Sequence, residues 1–132
     1  MRLFVLLVSL LFIPAFAVAE EEGGSEESGI QYMEMKPKFT VNLSEPKKYL
    51  MIQVQLLVED EETVAKIKKH MPALRHELIM LYSGRKSDEL QTMQQREALR
   101  KETVVVLRKK LDKLEKHNEG FKDAFFTDFI VD

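Results

Sequence analysis

The sequence predicts an α+β domain, a small and mainly antiparallel sheet with two helices on one face. Two alternating stretches at residues 38–43 and 49–58 come first, two helical patterns at residues 60–82 and 92–116 follow, and alternation returns at residues 121–131. The chain has 132 residues, with 5 Gly, 4 Pro, no Cys and no Trp. That is room for one modest core and not for two domains. Lacking Cys, the chain has no disulfide framework, no thiolate zinc site and no thiol nucleophile. Packing alone must hold the fold.

The N-terminal region reads as targeting rather than core. Arg2 precedes an apolar run over residues 3–16, broken by Ser9 and Pro14, and Ala17-Val18-Ala19 leads into Glu20. A positive start, an apolar stretch, a helix breaker and a small-x-small site make a signal peptide, with cleavage set by Ala17 and Ala19. A short membrane anchor is the alternative, because residues 3–19 reach the lower limit of a bilayer span. Both readings place the rest of the chain outside the cytoplasm. Residues 20–29 form an acidic leader, in which Glu20, Glu21, Glu22, Glu26 and Glu27 accompany Gly23, Gly24 and Gly29. Such a segment has too little apolar surface to order itself. With 20 basic and 22 acidic residues in all and five of the acids in this leader, the body at residues 30–132 is nearly neutral. No nucleic-acid partner is expected from that balance.

Within the body, Phe39, Val41 and Leu43 share one face of the first strand, and Ser44-Glu45-Pro46 turns the chain. In the second strand Ile52, Val54 and Leu56 share one face while Met51, Gln53 and Gln55 share the other, and the pair should run antiparallel. The acids Glu59 to Glu62 precede a helix whose stripe is Val64, Ile67, Met71, Leu74, Leu78 and Leu81. Pro72 inside that stripe predicts a kink or break near residues 68–72, and Ser83-Gly84 ends the helix. Thr92-Met93-Gln94-Gln95 matches a capping box for a long helix that buries Leu99, Thr103, Val106, Leu107, Leu111 and Leu114, with Gly120 just past its end. Val104 to Val106 favour a strand locally, but the surrounding Arg, Lys, Leu and Glu favour helix over the window. The last strand is apolar on both faces and reads as an inner strand, with Phe126 and Phe129 assigned to the core.

The candidate chemistry is thin. His70 and His76 lie six apart, about 240° around a helix, so they cannot clamp a metal as an i, i+4 pair can, and His117 stands apart. His76-Glu77 begins like a zinc-protease helix, but residue 80 is Met. Met33 and Met35 could offer thioethers to Cu(I), yet two sulfurs make a poor site and a β-arm packed on the core suits them better. The carboxylates at residues 60–62 and Asp88-Glu89 read as helix-start charges, and no nucleophile elbow or phosphate loop appears. No metal, no cofactor and no catalytic residue is expected. Asn42-Leu43-Ser44 is a glycosylation triplet only in a host that modifies exported proteins. On the long helix the many Arg and Lys, Lys109 and Lys113 among them, read first as a solvated face and second as a surface for an acidic partner or anionic lipid headgroups at the inner membrane.

Taken in order, several fragments resemble the FliL family of flagellar basal body-associated proteins. They are Tyr32, residues 36–43, Tyr49-Leu50, the run Met71-Pro72-Ala73-Leu74-Arg75 with Leu78-Ile79 and Leu81, then Leu99-Arg100-Lys101-Glu102, and finally residues 126–131. The resemblance implies a stomatin/prohibitin-like periplasmic domain and a noncatalytic role. It also implies homo-oligomeric rings at the inner membrane around the stator units of the flagellar motor, supporting torque, motility or swarming. The family carries a cytoplasmic tail and a full membrane helix, whereas Arg2 here follows a single residue, so a soluble periplasmic paralogue is the other expectation. Under this reading Arg75, Arg100 and the Pro72 kink are candidates for ring packing, since an Arg on an apolar helix can bridge to a neighbour's carboxylate. Intramolecular pairing of these arginines with Glu77 or Glu102 is the alternative.

Overall fold

The computed structural model describes residues 29–117 and 119–132, so the signal or anchor at residues 1–19 and the leader to residue 28 lie outside the described residues. Three strands, β1 (Gln31–Asn42), β2 (Tyr49–Val58) and β3 (Phe121–Val131), form one antiparallel sheet in the order β1-β2-β3. Helices α1 (Glu61–Lys69), α2 (Met71–Tyr82) and α3 (Met93–Leu114) lie between β2 and β3 in the chain, with a 3-10 turn at Ser87–Leu90. The fold is α+β, as the period switch predicts.

The core forms where the helices meet one face of the sheet. Leu50, Ile52, Val54, Leu56 and Val58 are buried on β2, opposite Met35, Phe39 and Val41 of β1. Leu74 and Leu78 of α2 and Leu99, Leu107 and Leu111 of α3 close it from above, with Leu43 at the hairpin end. Tyr82 is fully buried too. Its ring meets Phe39 edge-on at 5.8 Å and Phe126 at 6.2 Å, and its hydroxyl lies 2.7 Å from Thr103 Oγ1. Thr103 in turn donates to the Leu99 carbonyl, so both buried hydroxyls are satisfied. Leu81 and Val106 are only partly buried, and Leu114 is exposed.

Each helix end follows from local chemistry. The Asp60 carboxylate caps α1 by accepting the Thr63 amide at 2.7 Å. The break lies at His70: α1 ends there and α2 restarts with Pro72 in its first turn, where a missing N–H costs nothing. Gly84, at φ +77°, lets the chain leave α2 and donate its amide to the Asn42 carbonyl at 2.9 Å. At α3 the capping box is complete, with Gln95 N–H on Thr92 Oγ1 at 3.0 Å and Thr92 N–H on Gln95 Oε1 at 2.9 Å. Gly120 serves close approach rather than helix termination, since a Cβ there would collide with the Thr63 hydroxyl and Asp60.

The sheet departs from the sequence reading in two ways. β1 begins at Gln31, well before residue 38, and carries an irregularity in which residues 36–38 stand opposite Gln53 alone. Two extra residues leave face parity unchanged, so Met35 and Phe39 both point inward. The Gln53 side chain is buried on the bulge and donates to the Met35 carbonyl at 3.1 Å. The second departure corrects the inner-strand expectation: β3 is an edge strand. Single-residue shifts at Lys122 and Thr127 break its alternation. Phe126 pairs with Val54 and Phe129 with Ile52, which puts both on the helix face, partly buried against the core and not within it. Phe125 falls on the open face, 6.3 Å from Tyr32.

Candidate interaction surfaces

Three arginines of α3 follow the outer edge of β3. Arg96, Arg100 and Arg108 sit four and eight residues apart, one side of a helix, and their guanidiniums lie over Phe129 at 4.5 Å, Phe125 at 5.6 Å and Phe121 at 5.0 Å. Arg100 donates to the Ala124 carbonyl at 2.9 Å and Arg108 to those of Phe121 and Lys122 at 2.9 and 3.4 Å. These bonds cover edge carbonyls that an exposed strand would otherwise offer to another chain. Arg100 also contacts Glu97 and Asp123, each at 2.6 Å. The Glu97 hydrogen bond, then that of Asp123, raises the Arg100 guanidinium above its usual value, and Arg100 holds the Glu97 carboxyl below the usual carboxylate range.

The candidate ring contacts Arg75 and Arg100 are therefore engaged within the chain. Arg75 donates to the Pro37 carbonyl at 2.7 Å and lies 4.1 Å over the Phe39 ring. Neither arginine uses the partner the sequence suggested. Glu77 pairs with Lys110 at 3.5 Å, and Glu102 with Arg85 at 2.7 Å. Antiparallel packing of α2 on α3 decides this, because it sets Glu77 beside Lys110 of α3 and Glu102 beside Arg85, three residues past the end of α2.

Where the arginine cover ends, between the N-terminal part of α3 and the C-terminal half of β3, lies a groove of about 550 Å³. Phe126 and Phe129 line it with Arg96 and Arg100, and Met93, 87% exposed, stands at its rim. A smaller groove of about 210 Å³ between α2 and α3 joins Glu77 and Val106 to Lys109, Lys110 and Lys113. Beyond it, the outer side of the helix layer exposes Met80 at 64% and Val105 at 63%, with Ile79 at 39%. Met80 lies two residues before Tyr82 and Val105 two after Thr103, each about 200° from its inward neighbour. Both therefore point outward at one level of the helix pair. Pro72, Lys109 and Lys113 are exposed on the same layer.

The histidine and methionine candidates have other roles. His70 Nε2 lies 2.6 Å from Glu115 Oε2, and this bond, with Lys69 beyond it, lowers the Glu115 carboxyl. His76 and His117 are exposed and on different elements. Met35 is buried and Met33 packs against the core. No group of three His, Cys, Asp or Glu among the described residues is arranged to hold a metal ion. Asp60 is a helix cap, and Asp88 opens the 3-10 turn. The sequence reading counted Arg96, Arg100 and Arg108 in a solvated basic face and did not find the strand edge they cover, nor the exposed Met80 and Val105. Four-residue steps in Arg and in Phe were the visible signal.

Fold and surfaces together define a small α+β domain whose developed features are grooves and faces open to solvent. The chain matches the family described as flagellar basal body-associated protein FliL over residues 32–131, and it belongs to that family. It is similar to the Flagellar protein FliL of Aquifex aeolicus (strain VF5), 29% identical over 107 residues covering 80% of this chain and 63% of the relative. The chain thus spans less than two thirds of that relative's length. No helix among the described residues is long and apolar enough to cross a membrane.

Proposed function

We propose that this domain is a noncatalytic, self-assembling docking unit of the flagellar motor, working in the periplasm on or near the inner membrane. In this reading its stomatin-like fold packs with copies of itself into a ring near the stator units and supports torque, motility or swarming. The signal or anchor segment at residues 1–19 would deliver it there. Family membership over residues 32–131 supports the basal-body setting. The observation that carries the docking role is the outer helix layer, where exposed Met80, Val105 and Ile79 stand beside Lys109 and Lys113. Exposed apolar side chains grouped within a polar rim mark an interaction surface.

A second reading, contact with anionic lipid headgroups, draws on the exposed Lys101, Lys109, Lys113 and Lys116 of the α3 region. Glu102 and Asp112 interrupt that series, which favours a protein partner. Deletion of the gene in its host tests the main reading: lowered single-motor torque and reduced swarming are expected. Unchanged motility would remove it.

A further inference from the structure

We propose that the C-terminal half of the β3 edge is a strand-addition site for an extended segment of a protein partner, one that carries a carboxylate flanked by apolar side chains. This inference stands on the sheet edge and does not require the motor assignment. Tyr49 and Asp132 exchange both backbone hydrogen bonds, at 3.1 and 3.0 Å. In an antiparallel ladder bonded and non-bonded pairs alternate. From the observed register, Val131 opposite Leu50 and Phe129 opposite Ile52 are therefore non-bonded pairs. Their N–H and C=O groups point away from β2.

Other stretches of the sheet's outer edges are blunted. On β1 the irregular stretch Lys36-Pro37-Lys38 interrupts the ladder, and Arg75 takes the Pro37 carbonyl. On β3 the carbonyls of Phe121, Lys122 and Ala124 are taken by Arg108 and Arg100. On β3 this cover stops beyond Phe125, and there the 550 Å³ groove opens between α3 and the strand. A fourth strand along Phe129 and Val131 would send alternate side chains into that groove.

Charge identifies the occupant. Arg100 is balanced by Glu97 and Asp123, but Arg96 has no ion-pair partner among the described residues. Its Nε donates to the Leu90 carbonyl at 3.1 Å while the guanidinium lies on Phe129, leaving the terminal nitrogens for an incoming carboxylate. Apolar neighbours of that carboxylate would meet Met93 and Phe126. The chain's own acidic leader lacks such neighbours, since residues 20–29 contain no large apolar side chain.

The test uses the purified chain and a fluorescein-labelled probe, Thr-Leu-Thr-Glu-Thr-Leu-Thr amide, with a counterpart in which Lys replaces the Glu. Two further Glu probes are N-methylated at the amides of one backbone edge or the other. Anisotropy is expected to show the Glu probe binding at least about tenfold more tightly than the Lys probe at low salt. One N-methyl isomer should lose binding while the other keeps it, because only one edge faces β3. Arg96→Glu should reverse the charge preference on a chain that still unfolds cooperatively, and Arg96→Gln, which removes the charge alone from the same position, should abolish it. Equal binding of both N-methyl isomers, or no binding of any probe, would overturn the proposal, and so would a charge preference indifferent to residue 96. Concentration-dependent exchange protection of the Phe129 and Val131 amides without probe would also overturn it, in favour of a second copy.

Discussion

Gln53 shows how a polar side chain can be buried in a strand pairing when its amide finds acceptors beside it. At the β1 irregularity the buried Gln53 side chain donates to the Met35 carbonyl at 3.1 Å and to the Val54 carbonyl at 3.3 Å. Gln53→Leu should cost about 1–3 kcal/mol in urea unfolding, the net contribution of the two buried hydrogen bonds it removes. Tyr82→Phe should cost about 1 kcal/mol, because Thr103 keeps its bond to Leu99 while the shared hydroxyl contact is lost. Gly120→Ala should destabilise by about 1–3 kcal/mol, since the added methyl must displace the cap of α1. The aliphatic core was legible at this scale: Leu74, Leu78, Leu99 and Leu107 follow helical spacing and are buried. Tyr82 and Gln53 were not, because an aromatic at a helix end and a polar residue in a strand reveal their burial only through distant partners.

Helices were easier to read than strands. The break before Pro72 and the capping box at Thr92 are set by neighbouring residues, so a short window of sequence contains the cause. Thr92→Ala should lower stability by about 1 kcal/mol, read from the urea midpoint, and Thr92→Ser should restore most of it. β3 was read as an inner strand because residues 121–131 are apolar on both faces, but its one-residue shifts depend on β2 and leave no mark in its own pattern. The arginine series belongs to the same class. Its four-residue spacing is visible, but the strand edge it covers exists only once β3 has docked.

For the molecule as a whole, charge sets a pH limit on stability. The carboxyl of Glu45 is lowered by the Ser87 amide, Asp60 by the Thr63 amide, Glu97 by Arg100 and Glu115 by His70. A carboxyl depressed in the folded state binds fewer protons there than in the unfolded chain, so its contribution is complete above the ordinary carboxylate value of about 4 and is lost as pH falls through the folded values. The thermal midpoint should therefore fall steeply below about pH 4, and Glu45→Gln should make that fall shallower. The family was legible from scattered fragments, and the docking surface was legible only as single residues such as Pro72, Lys109 and Lys113. Exposed Met80 and Val105 escaped notice because a sequence does not say which apolar residues stay outside. The most direct measurement is single-motor torque in the deletion strain carrying Met80→Glu with Val105→Glu, on a chain shown to retain its thermal midpoint. The docking account predicts torque as low as with no chain at all; torque equal to that of the unmodified chain would contradict it.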